Sequence, residues 1–262
     1  MTSTQRTSEN TPGFDATIPT TFTSLQEASN SLDFLLNGCV KCAYEAETAR
    51  VSQTVQTSQV VYFLHMLQAW DDAFQGFLDK HHLTPRHMQR ARVLQVGQTY
   101  FALSVHATGD NGEFSETAFD EHPSLYRRLL NIAADIVAAE AAERNCSPRY
   151  AFEWNIVAPL YGLAQHCRDP FARREAVALL KACRRREGVW DSATAAIIAE
   201  KVIAIDEEGL GLVTHASQVP SGARINAVHV EFDAEGKVSN ISYTRCRNPE
   251  QKEQLPLNTF TS

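Results

Sequence analysis

Residues Phe152–Asp191 read FEWNIVAPLYGLAQHCRDPFARREAVALLKACRRREGVWD, and this stretch decides the fold. Two apolar stripes at helical spacing flank Arg168-Asp169-Pro170. Phe152, Ile156, Leu160, Leu163 and Cys167 form the first stripe, with Pro159 inside it. An interior proline removes a backbone hydrogen bond, so a kink is expected there. Asp169 suits an N-cap and Pro170 the first helical position of the next helix. From that helix Ala176, Val177, Leu180 and Cys183 turn inward, while Arg173 and Arg174 face out. A basic exit, Arg184-Arg185-Arg186-Glu187-Gly188, leads to Trp190 and a last helix. That helix carries Ala195, Ile198, Val202 and Ile205 on one face and ends near Gly209, a residue suited to a left-handed cap.

Upstream, the pattern is again helical. Ser24-Leu25-Gln26-Glu27 has the form of a capping box, in which Glu27 reaches back to the Ser24 amide. It starts a helix to about Tyr44 with Leu25, Ala28, Leu32, Leu35 and Cys39 on one side. A polar interruption over residues 48–59 precedes the stripe Val60, Phe63, Leu64, Leu67, Trp70, Phe74, Phe77 and Leu78. Thr84-Pro85 opens a third helix through Met88, Val93, Leu94, Tyr100, Phe101 and Val105, and Pro123-Ser124 a fourth through Leu125, Leu129, Ile132, Ile136 and Ala139. The tail changes period. Val228, Val230 and Phe232 alternate, a turn at Gly236 follows, and Ile241 and Tyr243 alternate back as a β-hairpin.

The expected fold is therefore mainly α: about seven helices in antiparallel αα-hairpins, closed by one C-terminal β-hairpin at about residues 225–245. Residues 1–21, rich in Ser and Thr, read as a disordered arm, residues 22–246 as a single helical domain and 247–262 as a loose tail.

Composition bounds the function. The net charge of −7 argues against direct nucleic-acid binding. No apolar run approaches the roughly 18 residues of a membrane span, and the first residues lack the apolar core of a signal peptide. Six cysteines scattered over 262 residues read as reduced thiols of an intracellular protein.

No enzyme mechanism can be assembled from the residues present, so no catalytic, cofactor-binding or metal-binding residue and no cofactor is assigned. Cys39 and Cys42 form a CxxC, but a zinc site needs a second pair, and two cysteines three apart on an amphipathic helix are ordinary core residues. His81, His82 and His87 cluster at a helix junction without a carboxylate at ligand spacing and read as a solvated turn. Arg173, Arg174, Lys181 and Arg184 to Arg186 form a basic cluster. It can bind an anion. The favoured reading is a solvated helix end pairing with Glu175 and Glu187, with a buried Arg–Glu network holding the Trp190 turn. Trp154, Tyr161, His166 and Trp190 form a candidate inter-helix pocket, although aromatics at helical spacing more often build core.

With these residues laid out, the chain resembles the C-terminal regulatory region of fungal transcription factors of the six-cysteine binuclear zinc cluster class. SLQEASNSLDFLLN (24–37) and LQAWDDAFQGFL (67–78) are similar to its first two helices, residues 157–210 to its most recognisable part, and residues 219–245 to its closing hairpin. The signature residues are Cys167, Arg168, Asp169 and Pro170; Arg173 and Arg174; and Arg185, Arg186, Glu187, Gly188, Trp190 and Asp191, read as structural. The resemblance covers roughly residues 22–245. One departure matters: residues 1–38 contain no cysteine, so the family's zinc cluster cannot be built from them.

What the resemblance implies is a non-enzymatic, nuclear regulatory domain that modulates transcription, for instance of a metabolic or secondary-metabolite gene cluster. It would act through a protein partner, either a full-length DNA-binding relative or a second copy, or through a small-molecule effector. A stand-alone helical protein that binds or transforms a metabolite in an inter-helix pocket is the alternative.

Overall fold

Helices form wherever the apolar stripes were read, but several run longer or end elsewhere than the stripes suggest. The computed structural model describes residues 17–49, 53–108, 115, 117–142, 149–151, 155–233 and 238–254. Among these, seven α-helices carry most of the chain and a three-stranded antiparallel sheet closes it, so the architecture is mainly α as expected.

The first compact unit comprises residues 1–87 and 108–114. Its helices are α1 (Leu25–Ala49) and α2 (Gln53–Lys80). Ser24 Oγ accepts from the Glu27 amide at 3.1 Å, the expected cap. Glu27 itself reaches one residue further back, to the Thr23 amide at 2.7 Å and its hydroxyl at 2.6 Å. The polar stretch expected to interrupt the chain is helical from Gln53 onward. It contains neither glycine nor proline, and adding turns to an existing helix is far easier than nucleating one. Aromatic rings build the unit's interior. Trp70 stacks on Phe74 with centroids 4.6 Å apart and meets Phe22 at 5.7 Å. Its indole N–H donates to the Ala28 carbonyl at 3.0 Å, which ties α2 to α1.

The second unit comprises residues 88–107 and 115–262. Where one domain over 22–246 is expected from sequence, the packing thus separates an N-terminal helical pair from the remainder. Helix α3 (Pro85–Ala107) opens on Thr84, whose hydroxyl accepts from the His87 amide. Its buried side includes Ala91, Leu94, Gln98, Thr99, Ala102 and Val105, whereas Met88, Val93, Tyr100 and Phe101 of the expected stripe are only half-buried. Small alanines permit close approach, which a reading weighted toward large side chains overlooks.

A 3₁₀ turn, Ala118–Glu121, leads into α4 (Pro123–Ala142). Arg149–Ala151, just ahead of the helix expected to carry Phe152, forms the short strand β1, which was not expected; residues 152–154 lie outside the described residues. Helix α5 (Val157–His166) is buried from Val157 to Gln165, a helix apolar on nearly every side and hence central. Pro159 is its third residue, within the first turn where amides have no intrahelical acceptor, so the expected kink has no cause. Helix α6 (Pro170–Cys183) starts as read, with Asp169 Oδ1 accepting from the Phe171 and Ala172 amides at 3.0 and 2.8 Å. Arg184 ends it in the left-handed region at φ 39°.

Strand β2 (Arg185–Glu187) pairs parallel with β1 and antiparallel with β3 (Trp190–Asp191). Helix α7 (Ser192–Asp206) follows, capped by Asp191, which accepts from the Thr194 amide at 2.9 Å. The closing hairpin is β4 (Ile225–Phe232) and β5 (Val238–Arg245), with Val228 opposite Tyr243 and Val230 opposite Ile241. Part of the segment expected to be loose adds a third strand, β6 (Asn248–Gln254). Its side chains are mostly exposed and polar, which suits an edge, but Glu253 accepts from the Tyr243 hydroxyl at 2.8 Å and from Arg245 Nε at 3.1 Å. Ile225, Ile241 and Tyr243 join the apolar cluster built by α3 to α7, so the sheet docks on helices.

Gly162 sets how closely α3 and α5 pack. A Cβ there would collide with the ring and hydroxyl of Tyr100. Gly162→Ala is expected to destabilise the chain by about 1–3 kcal/mol through overpacking, read as a lower urea midpoint at unchanged slope. Adding Tyr100→Phe, which removes the colliding hydroxyl, is expected to recover part of the loss.

Candidate functional site

The signature residues around Arg168 and Glu187 gather into three charged networks of the second unit. In the first, Asp206 at the end of α7 serves two arginines. Arg173 Nη2 donates to its Oδ2 at 2.9 Å, and Arg168 Nε stands 2.9 Å from the same oxygen, paired as an ion although not aligned as a hydrogen bond. All three side chains are inaccessible to solvent. Oδ1 of Asp206 accepts from the Ile225 amide at 3.0 Å, which ties α7 to the start of β4. The guanidinium of Arg168 also donates to the Gln165 and Ile225 carbonyls, and that of Arg173 to the Ala164 carbonyl. Arg173 was expected to face out beside Arg174. It faces in, because a partner carboxylate and a free carbonyl at the end of α5 compensate its burial. Burial, then repulsion from Arg168, pushes its pKa below the ordinary arginine value.

Glu187 centres the second network. Its carboxylate accepts from the Asn155, Ile156 and Val157 amides at 3.0 to 3.1 Å and so caps α5 from a distant strand. Arg185 Nη1 pairs with Glu187 at 2.9 Å and Nη2 with Glu140 of α4 at 2.8 Å. Its own amide donates to the Ser192 hydroxyl at 3.0 Å. Arg185 and Glu187 are thus interior, a buried Arg–Glu network beside the Trp190 turn of the kind expected there, while Arg184 and Arg186 are exposed as a solvated helix end would have them. On the surface Arg174 pairs with Glu207 and Lys181 with Glu200, so α7 rather than Glu175 supplies their partners.

The third network hangs on the 3₁₀ turn. Asp120 accepts from the Arg168 amide and from Arg224 Nη1, both at 2.7 Å. Beside it, His106 of α3 stacks on His122 with centroids 3.9 Å apart. Burial, and next the charge of His122, lowers the His106 pKa. A histidine whose folded pKa is lowered favours the neutral form, so its stabilisation is complete above about pH 6.5 and is lost as pH falls. The melting temperature is expected to fall between about pH 6.5 and 5, and His122→Gln to flatten that dependence; identical profiles for both proteins would refute the coupling.

The expected aromatic pocket does not assemble as read. Tyr161 belongs to the core cluster and packs on the half-buried Trp190 at 5.3 Å, whereas His166 lies against Phe119 at 5.4 Å; Trp154 is outside the described residues. Burial pushes the Tyr161 hydroxyl up, and it pushes the Cys167 thiol up to about 12, so neither is poised to react near neutral pH. His81 and His82 are exposed, His81 stacking on Phe77, and Cys39 is half-buried and not part of a disulfide.

A different cleft, of about 420 Å³, opens between α4 and α6. Leu130 and Ala172 form its floor, and Phe171, Arg127, Asn131 and Glu175 its exposed rim. At one end the Tyr126 hydroxyl lies 3.4 Å from Asp169, and burial, aided by the neighbouring negative charges, pushes it up to about 12.

Asp120, Glu140, Asp206 and Arg224 were missed by residue-level reading. Asp206 stands in the signature IDEEGL (205–210), and a carboxylate ending the apolar run Val202–Ile205 was the available signal. Asp120 and Arg224 lie in turns and carry none.

Comparison with known proteins returns a fungal regulator. A 102-residue stretch is 35% identical to the Aspercryptin biosynthesis cluster-specific transcription regulator of Emericella nidulans. The match covers 37% of this chain and 16% of that protein, so the chain spans only a small part of its relative. No protein-family profile matches the chain. No solved structure matches it either. No described helix is long and apolar enough to cross a membrane. One region of this chain is thus related to a transcription regulator.

Proposed function

We propose that this chain is a non-enzymatic regulatory region that modulates transcription in the nucleus through contacts with protein partners. The 35% identity over 102 residues to a cluster-specific transcription regulator carries the reading. Buried ion networks that lock α5, α6, α7 and β4 together suit a rigid platform that presents surfaces. By analogy with that relative, the regulated genes are those of a biosynthetic cluster. The partner is a DNA-binding relative or a second copy, with a small-molecule effector as the other route of control.

The test tethers the full chain to an unrelated DNA-binding domain upstream of a reporter in a filamentous fungus. Reporter output is expected to differ from that of the DNA-binding domain alone, with the fusion concentrated in nuclei. Equal output from both, at matched protein levels, would refute the regulatory reading.

A further inference from the structure

Helices α4 and α6 run parallel. Tyr126 in the first turn of α4 meets Asp169 at the start of α6, and Glu140 near the end of α4 meets Arg185 just beyond the end of α6. Two parallel helices point like dipole ends the same way, and a third helix laid antiparallel in the groove between them opposes both. The cleft occupies the N-terminal half of that groove. At its rim Phe171 is 72% exposed, a large ring on the solvent side of a helix that is otherwise well packed. Glu175 has no ion pair among the described residues, since the nearby cations Arg174 and Lys181 are engaged by α7. Arg127, near the start of α4, marks the end of the cleft where the two helix N-termini lie.

We infer that the cleft between α4 and α6 is a docking groove for an amphipathic helix of a partner protein. The helix lies antiparallel to both, sets an apolar residue on Leu130 and Ala172 beside Phe171, and places a lysine or arginine against Glu175. In this orientation the partner's C-terminal carbonyls approach Arg127 and its N-terminal half approaches Glu175, so both rim charges are matched. A basic helix is also favoured at long range by the net charge of −7, which disfavours a second copy of this chain as the occupant. The volume, near the small end of the roughly 300–1,000 Å³ of ligand cavities, and the exposed rim suit a row of side chains more than an enclosed molecule. The inference rests on the reading of the chain as one that acts through protein partners, and names the chemistry of that partner.

The experiment selects displayed helical peptides from a randomised library on the full chain, then measures binding of the synthesised winners by fluorescence anisotropy. Winners are expected to share a bulky apolar residue one helical turn from a lysine or arginine. Phe171→Asp and Glu175→Lys are each expected to weaken their binding by about tenfold or more. Changing the peptide's basic residue to glutamate should restore affinity for Glu175→Lys alone. Both substitutions are at exposed positions, and unchanged melting curves will show that the fold is intact. Winners that are acidic, or that bind Phe171→Asp as well as the parent chain, would overturn the inference. So would sedimentation showing a dimer that Phe171→Asp dissolves, since the groove would then belong to a second copy. None of these readouts involves transcription, so a failed groove and a failed regulatory reading are told apart.

Discussion

Asp206→Ala is expected to destabilise the second unit by about 3–5 kcal/mol, because it leaves two guanidinium groups buried without their counter-ion. Arg168, Arg173 and Asp206 are all fully inaccessible, and both arginines pair with the same oxygen of Asp206. The substitution also removes the acceptor for the Ile225 amide, freeing the start of β4 from the end of α7. Asp206→Asn keeps the shape but not the charge and should lose nearly as much. Lys181→Ala supplies the control: its pair with Glu200 is half-exposed on both sides, and surface pairs contribute about 0–1 kcal/mol. The measurement is a urea titration of each variant. If Asp206→Ala costs no more than Lys181→Ala, the buried triad does not hold the helices together.

Glu187→Ala has the second large effect, also about 3–5 kcal/mol, from two losses that add. The three amides at the start of α5 lose their acceptor, and Arg185 loses one of its two carboxylates while staying buried. Glu187→Gln does not rescue it, because one face of the amide would present N–H groups to N–H groups. Hydrogen exchange locates the damage. The Ile156 and Val157 amides should exchange much faster in Glu187→Ala, while amides of α1 and α2 in the first unit keep their rates. Uniform acceleration in both units would instead mean that Glu187 acts on global stability and not on the α5 cap.

Much of this fold is legible in one dimension, and particular residues show why. Asp169-Pro170 sets the start of α6 through interactions within three residues, so local chemistry decides it. The Thr84-Pro85 start of α3 and the β4–β5 alternation are local in the same sense. Pro159 was misread because its effect depends on its distance from the helix start, and that start is set by Glu187, 30 residues away in sequence from Val157. Strand β1 was missed for a similar reason: three residues form a strand there because β2 lies alongside to accept them. The α4–α6 cleft was illegible because its two walls are separated by the whole of α5.

By itself the sequence determined the mainly helical class, the positions of most helices, the C-terminal hairpin and the basic exit ending at Trp190. Each follows from periodicity, capping or turn chemistry acting over a few residues. Only the tertiary structure decided that Arg173 is interior while Arg174, its neighbour, is on the surface. A one-residue step turns a helix by about 100°, too coarse a difference to assign when both residues carry the same charge. What settles it is the placement of Asp206 and Glu207 at the far end of α7, one fully buried and one only partly covered, which brings each arginine a partner 33 residues away. Burial of charge is favourable only where a distant partner arrives, and that arrival is a property of the folded chain.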